Sequence, residues 1–371
     1  MRDALESAAG PSCRQTGKTA FVTMAEIDRY RPEDRRQLEA LYRRVFGPDA
    51  ADASRLRWDW QYRRNPHVPA DGPRIWVARE GSTVIGQYAS MPVRLSVMGQ
   101  EIDASWGTDV MVAPERQRQG LGDLLFRTWD RDTGAALGLG LSESSARLFQ
   151  KMHWPNVGPV TCLVKPLSRR ALRNPTLPTG VNRFVSYVTL PWVRRVARML
   201  PLEGEVQPVR HFDDGFTRLW ERLKNKFAFA VRRDANYLNW KYLQAPHVRY
   251  VAAALVRNGE AAGYAVYRHV QEPRGRVTLL VDLFADPEDA SGVLTLLRWI
   301  DREARAADSD KIRTFALNEA FRKLLRQSGY YQRRKAGIEF VAKINAIDVP
   351  AGYYAEPDSW HVTLGDSDVD H

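Results

Sequence analysis

Two kinds of hydrophobic pattern alternate along the first half of the chain. Apolar residues recur at helical spacing from Leu38 to Phe46, from Leu121 to Trp129 and over residues 144–152. Around these helices, β-branched and other apolar residues alternate with polar ones, which predicts strands at 19–28, 75–78, 84–93, 95–98, 102–112, 136–141 and 160–164. The predicted order is strand, helix, a run of antiparallel strands, helix, strand, helix and a last strand that closes the unit.

A polar loop with two glycines connects the strand at 102–112 to the helix that follows it. Gly120 and Gly122 allow backbone amides to point inwards, at a place where a helix start leaves its first amides unpaired and partly positive. Such a place binds phosphate groups. Arg116 and Arg118 add positive charge to the loop, so we expect an anion site here.

The segment Val110-x-Val112-x-Pro114, followed by Gln117-x-x-Gly120-x-Gly122, resembles the acyl-CoA pyrophosphate loop of the GNAT superfamily of N-acyltransferases. It has neither the Gly-Lys-Ser/Thr of a Walker loop nor the three-glycine spacing of a dinucleotide fingerprint.

The segment from Ser142 to Trp154 resembles the second motif of the same family. Leu148 and Lys151 match that motif, and Trp154 keeps its closing aromatic residue. Three positions differ, because Ser142, Phe149 and His153 stand where the family has Asn, Tyr and Gly. Since the tyrosine often serves as the general acid, the resemblance implies the fold and assigns no catalytic acid.

The resemblance implies that acetyl-CoA or another acyl-CoA binds as a co-substrate, and it implies no metal. The residues it assigns to this site are Met111, Val112, Gln117, Arg118, Gln119, Gly120, Leu121, Gly122 and Asp123. In the family, the backbone amide at the Met111 position helps to hold the thioester carbonyl. Strand alternation puts Asp109 on the same side as Met111, which makes Asp109 the candidate catalytic base. Tyr88 and Ser90, on a neighbouring strand, are the candidate acceptor-binding residues.

The second half of the chain repeats the first. The spacing from Trp240 to Val248 copies that from Trp60 to Val68, and residues 282–287 and 318–330 resemble 109–114 and 142–154. These matches indicate a tandem duplication. Asp282 corresponds to Asp109, so the alternative for this aspartate is a structural role in both copies. The second copy has Glu288, Asp289 and a single glycine in place of the two-glycine loop, and we predict that only the first copy binds CoA.

We therefore predict an α+β fold of two tandem GNAT-like domains, each with a mostly antiparallel central sheet flanked by helices. The predicted boundaries are a disordered leader at 1–18, a GNAT domain with the acyl-CoA loop at 19–167, a linker with an amphipathic helix at 168–205, a degenerate GNAT-like domain at 206–346 and a C-terminal tail at 347–371.

Composition and charge indicate the cellular compartment and the kinds of partner. Two cysteines, which fit neither a metal site nor a disulfide framework, and the lack of a membrane-spanning apolar run favour a reducing cytoplasm. The net charge of +11 favours anionic partners. The basic amphipathic run over residues 184–200 predicts either weak association with a membrane surface or packing between the domains. We expect no nucleic-acid partner, because no recognised motif for one is present.

The predicted function is an N-acyltransferase that moves an acetyl or longer acyl group from acyl-CoA to a primary amine of a small molecule, an amino sugar or an amino acid derivative. The alternatives are a peptidoglycan-type transferase that uses aminoacyl-tRNA and a non-catalytic scaffold with a GNAT fold. The CoA loop counts against the first alternative.

Overall fold

The computed structural model describes residues 25–172, 203–333 and 337–369. Its strands are β1 (Glu26–Arg29), β2 (Ile75–Glu80), β3 (Thr83–Val97), β4 (Gln100–Val112), β5 (Ala135–Leu139), β6 (Asn156–Pro166), β7 (Glu205–Val209), β8 (Phe229–Val231), β9 (Val251–Arg257), β10 (Glu260–Glu272), β11 (Gly275–Ala285), β12 (Lys311–Ala316), β13 (Tyr331–Gln332), β14 (Ile338–Ile344) and β15 (Trp360–His361). Its α-helices are α1 (Arg35–Phe46), α2 (Pro48–Tyr62), α3 (Leu121–Arg131), α4 (Glu143–Lys151), α5 (Asp214–Leu223), α6 (Ala235–Leu238), α7 (Ala290–Ala306), α8 (Glu319–Gln327) and α9 (Ala351–Tyr354).

The strands form one continuous sheet in the order β1-β2-β3-β4-β5-β14-β6-β12-β11-β10-β9-β7. Along this path the pairings are antiparallel, except that β4 runs parallel to β5 and β11 runs parallel to β12. The two parallel pairs occupy equivalent places in the two halves of the chain. This mixed sheet, flanked by helices, confirms the predicted α+β fold with two tandem GNAT-like halves.

The two repeats exchange their last strands. β6, from the first repeat, pairs with β12 of the second, for example at Cys162 and Phe315. In return, β14 of the second repeat pairs with β5 of the first, for example at Val341 and Gly138. The expectation that residues 160–164 close the first unit is therefore wrong, because the strand beside β5 comes from the other repeat.

A pair of tryptophans marks the pseudo-symmetry between the repeats. The Nε1 atom of Trp60 donates a hydrogen bond of 2.8 Å to the carbonyl of Trp240, and Trp240 returns one of 2.9 Å to the carbonyl of Trp60. Their rings stack with centroids 4.8 Å apart, and both side chains are buried. Each indole thus satisfies the backbone of the other repeat, which accounts for the repeated sequence around these two positions.

Several sequence predictions concern segments that the structure does not describe. The leader at 1–18 and the amphipathic run at 184–200 lie outside the described residues. Within the described residues, no helix has the length and apolar character needed to cross a membrane.

Residues 360–366, which the sequence assigned to a tail, are buried in the second repeat, where β15 pairs with β8.

Candidate active site

The glycine loop has the predicted strand, loop and helix geometry. β4 ends at Val112, a short 3₁₀ turn covers Pro114–Arg116, and α3 begins at Leu121. Gly120, at the N-cap of α3, has a left-handed backbone with φ of 84°, which favours glycine, and it provides no side-chain cap. A Cβ atom added at Gly120 or Gly122 would meet nothing within 4 Å. The first amides of α3 therefore have no side-chain acceptor, and the space beside both glycines is open, as an anion site requires.

The two arginines of this loop have different roles. Arg116 makes a two-pronged ion pair with Glu80 on β2, with distances of 2.8 and 2.7 Å, so it anchors the loop and is not available to an anion. Arg118 is exposed, and no described carboxylate forms an ion pair with it. Asp123 is ion-paired with Lys151, which holds the carboxylate beside α4. Arg118 is thus the cation that this loop offers to a phosphate.

The corresponding helix start in the second repeat is closed. Asp289 caps α7 by accepting a hydrogen bond of 3.0 Å from the amide of Gly292, and it also pairs with Arg257 at 2.6 Å. A Cβ atom at Gly292 would lie 2.2 Å from the Asp289 carboxylate and 2.8 Å from Leu255. The carboxylate occupies the position that an anion would take, which supports the prediction that only the first repeat binds CoA.

In both repeats, the two parallel strands pair over only a few residues. In the first repeat, the pairing between β4 and β5 joins Ser105 to Ala136 and Trp106 to Leu137, and β4 pairs with no described strand on this side beyond Trp106. The second repeat has the same pairing between β11 and β12, which ends at Leu280 and Thr314.

In the second repeat, a segment near the end of the described chain lies beside the carboxyl ends of these strands. Residues 361–363 line the same space as the ends of β11 and β12. The hydroxyl of Thr363 donates a hydrogen bond of 3.1 Å to Asp282, and the buried Asp366 accepts two bonds from Arg233, of 2.8 and 2.7 Å. In the second repeat, therefore, a carboxylate occupies the helix start, and the chain's own residues 361–363 lie at the carboxyl ends of β11 and β12.

Asp109, the candidate base, is held by three donors. One carboxylate oxygen accepts hydrogen bonds from Arg57, at 2.8 Å, and from the hydroxyl of Tyr42, at 3.0 Å. The other oxygen accepts the hydroxyl of Tyr62 at 2.6 Å, and the side chain is only 6% exposed. Burial, together with the negative charge of Asp109, raises the pKa of Tyr42 to about 12.

The backbone at Asp109 is strained. Its φ of 38° is uncommon for a residue with a side chain, and the register between β3 and β4 shifts at this point, between Gln87 and Ala89. A β-bulge of this kind redirects the residues that follow it, here Met111 and Val112. Conformations of this kind cost roughly 1–3 kcal/mol and persist only where surrounding contacts fix them.

A pocket opens beside Asp109 between the first two helices and the sheet. Its lining comprises Arg35, Leu38, Glu39, Tyr42, Ala51, Ser54, Arg55, Trp58, Gln87, Asp109 and Met111. The carboxylates in this lining are Asp109 and Glu39. Glu39 has a side chain that is 42% exposed and pairs with Arg35 at 2.6 Å. The pocket therefore brings Met111 and Asp109 together, as predicted, and adds a carboxylate that water can reach.

The predicted acceptor residues lie elsewhere. Tyr88 is buried and stacks on Trp129 of α3 at 4.7 Å, and the Ser90 hydroxyl donates to the Arg74 carbonyl at 3.1 Å. Neither lines the pocket beside Asp109. Gln87, which the sequence reasoning missed, does line it and donates a hydrogen bond of 2.9 Å to the Asp109 carbonyl. Because neighbouring strand residues face opposite sides, a pocket that contains Gln87 excludes Tyr88.

The second motif forms the predicted helix α4 but contributes no catalytic group to this pocket. Phe149 is buried against Phe126 and Trp154, with centroids 5.0 and 4.8 Å away. Ser142 caps the helix by accepting the amide of Ser145. His153 is exposed at the end of the helix with φ of 56°, where the family has glycine, so its backbone conformation explains the family's preference at this position.

Comparison with known proteins agrees with this geometry. A family model described as an acetyltransferase (GNAT) domain matches residues 26–135, which include β4, the glycine loop and α3. The chain contains a GNAT domain. No curated protein matches the sequence significantly.

Solved structures resemble this protein over most of its length. A GCN5-related N-acetyltransferase from Anabaena variabilis matches with a TM-score of 0.58 and 14% identity, covering 90% of this chain and 75% of the other. A probable N-acyltransferase from Enterococcus faecalis gives 0.59 and 12%, covering 87% and 73%. An N-myristoyltransferase from Saccharomyces cerevisiae with bound myristoyl-CoA gives 0.55 and 11%, covering 92% and 85%. At these identities the likeness shows the fold.

Proposed function

We propose that this protein is an acyl-CoA-dependent N-acyltransferase whose donor site lies in the first repeat. The observation that carries the proposal is the difference between the two helix starts. α3 begins at an uncapped glycine, with open space beside Gly120 and Gly122, whereas α7 begins at a carboxylate that caps it. A helix start without a side-chain cap leaves donors for a ligand, and a pyrophosphate is suited to them.

The pairing of β4 with β5 ends at Trp106, before Met111, and this supports a donor that extends from the loop along the free side of β4 towards Met111. Acyl-CoA supplies a thioester, whose carbonyl carbon is the electrophile of the reaction. The amine nitrogen forms a bond to that carbon, the carbon–sulfur bond breaks, and the thiol leaves as CoA. The backbone amide of Met111 is our candidate for the group that holds the thioester oxygen, because the bulge at Asp109 determines how this part of β4 is oriented.

The amine must lose a proton before it can attack. An amine with a pKa of ~10.4 is about 3.4 units from deprotonation at pH 7, which corresponds to roughly 4.6 kcal/mol. Asp109 is poorly placed to accept this proton, because Arg57 and two tyrosines already occupy its carboxylate. We therefore assign Asp109 a positioning role, in which it holds the bulge. Glu39, the exposed carboxylate of the same pocket, is our candidate for the base, directly or through water.

The acceptor is a primary amine, and we propose a small molecule, an amino sugar or an amino acid derivative. The pocket beside Asp109, with a volume of about 20 Å³, has room for a water molecule next to Glu39 and not for the acceptor itself, so only the amine end of the acceptor would approach it. The acyl group is acetyl or longer.

Calorimetric titration of acetyl-CoA and then octanoyl-CoA tests the donor site. We expect one molecule to bind per chain, and we expect Gly122→Asp to abolish binding because its carboxylate would face the pyrophosphate. The variant should fold normally, since an aspartate in the first turn of a helix is favourable and a Cβ at this position meets no atom.

Gly122→Ala is the matched control, because it adds the same Cβ without charge and should keep binding. The proposal fails if the parent protein binds neither donor. It also fails if the alanine and aspartate variants behave alike, or if two donor molecules bind per chain.

A further inference from the structure

An open cleft lies in the second repeat, at the amino-terminal ends of β11 and β12. Its volume is about 370 Å³, within the range of about 300–1,000 Å³ that is usual for small-molecule sites. Its lining comprises Val164, Arg170, Ala171, Leu172, Arg274, Gly275, Arg276, Val277, Asp310, Lys311, Tyr331 and Arg333. The space that residues 361–363 line lies at the other ends of these strands, so the two spaces are distinct.

Positive charge dominates this basic cleft. Its cations are Arg170, Arg274, Arg276, Lys311 and Arg333, and its carboxylate is Asp310, which accepts a hydrogen bond from Ser168. Lys311 pairs with Glu272 at 3.0 Å. In the part of the chain that the structure describes, none of the four arginines forms an ion pair; Arg276 donates instead to the Ala307 carbonyl at 2.8 Å.

The arginines of the cleft differ in this respect from three arginines that anchor other parts of the fold. Arg57, Arg116 and Arg233 each bind a carboxylate at 2.8 Å or less. Several unpaired guanidinium groups around one cleft repel each other, and this cost is removed when an anion binds between them. The planar guanidinium group can donate two parallel hydrogen bonds, a geometry that fits phosphate oxygens.

The edge of the cleft carries an exposed aromatic ring beside the cations. Tyr331, on the rim, is 45% exposed and paired with Val164 through β13, so a rigid element holds its ring at the edge of the cleft. Backbone hydrogen bonds also fix the main chain around Asp310. The amides of Leu167 and Ser168 donate to the Asp310 carbonyl, and the amide of Asp310 donates to the carbonyl of Arg276.

We propose that the basic cleft binds a ligand that carries a phosphate group, with Arg170, Arg274 and Arg333 as its main contacts. The ligand is either a soluble phosphorylated molecule or the headgroup of an anionic lipid, since both offer the same phosphate chemistry. The proposal is independent of the donor site, which lies in the other repeat and depends on backbone amides.

Calorimetry with inorganic pyrophosphate in the Gly122→Asp background tests this site, because that background removes the binding expected at the glycine loop. We expect one pyrophosphate per chain. The triple variant Arg170→Gln, Arg274→Gln, Arg333→Gln should weaken binding at least about 100-fold, since each lost charge-assisted hydrogen bond lowers the affinity.

A second triple variant, Arg36→Gln, Arg210→Gln, Arg249→Gln, is the matched control. It removes the same net charge from three exposed positions outside the cleft, and it should keep the affinity within about threefold. The proposal is overturned if the intact cleft binds no pyrophosphate, or if both triple variants lose affinity equally.

Co-sedimentation with vesicles distinguishes the two sources of phosphate. Binding to phosphatidylglycerol vesicles, absent with phosphatidylcholine and lost in the cleft variant, would support the proposal and identify a lipid headgroup. Pyrophosphate binding without vesicle binding would support it and identify a soluble ligand. Cleft-dependent binding of single-stranded RNA without pyrophosphate binding would overturn it in favour of a nucleic-acid surface.

Discussion

The ion pair between Arg57 and Asp109 should be among the most sensitive points of the first repeat. Both side chains are largely buried, at 14% and 6% exposed, and Asp109 also accepts the hydroxyls of Tyr42 and Tyr62. Asp109→Asn keeps the shape of the side chain but leaves the Arg57 charge without a counterion. Breaking a buried pair by removing one partner typically costs about 3–5 kcal/mol, so we expect that loss in the free energy of unfolding for either Asp109→Asn or Arg57→Gln.

A double-mutant cycle measured by urea unfolding tests this expectation, with tryptophan fluorescence as the signal. The double variant should cost less than the sum of the single variants by at least about 2 kcal/mol, because the second change removes the group that the first left unpaired. The exposed pair Arg43 and Asp52, at 2.8 Å, is the control and should contribute less than about 1 kcal/mol. Single variants that cost no more than the control, or fully additive costs, would refute the reasoning.

The remaining predictions concern pH. If Glu39 is the base, Glu39→Gln should remove the acid limb of the plot of kcat against pH. If Asp109 is a positioning residue, Asp109→Asn should instead lower kcat by a similar factor at every pH. The opposite pattern in steady-state assays would reverse the assignment. Burial lowers the pKa of His361 well below its usual value. The unfolded chain therefore binds a proton below pH ~6.5 that the folded protein excludes, and stability should fall with decreasing pH by up to about 1.4 kcal/mol per unit. His361→Phe should flatten this dependence in urea unfolding, and an unchanged slope would contradict it.

Local pattern was sufficient to predict the donor loop. Gly120 and Gly122, between a strand and an amphipathic helix, give part of the signal, and the wider segment from Val110 to Gly122 gives the rest through its resemblance to the family loop. The repeat was visible for a related reason. Trp60 and Trp240 satisfy each other's backbone, so both repeats need the same residue at the same spacing.

Contacts between distant residues were not predictable in this way. Residues 156–166 form an apolar strand that could pair equally well with β5 or β12, and hydrophobic pattern does not record which partner it has. The prediction of Tyr88 as an acceptor-binding residue failed for a different reason. The face that a β3 residue presents to the pocket depends on the bulge opposite it, and the bulge at Asp109 depends on Arg57, which is 52 residues away in the sequence.

The strand exchange gives a physical reason for the second repeat to persist after its own donor site has closed. β14 pairs along β5, from Leu139 to Ala135, so the second repeat provides a neighbour of that strand. Without β14, the edge of β5 would expose unpaired backbone groups, and the position of β5 relative to β4 would rest on two residue pairs. Under the proposed function, the donor binds beside a repeat whose strand β5 is supported by β14, so the second repeat can do without a glycine loop but cannot lose β14.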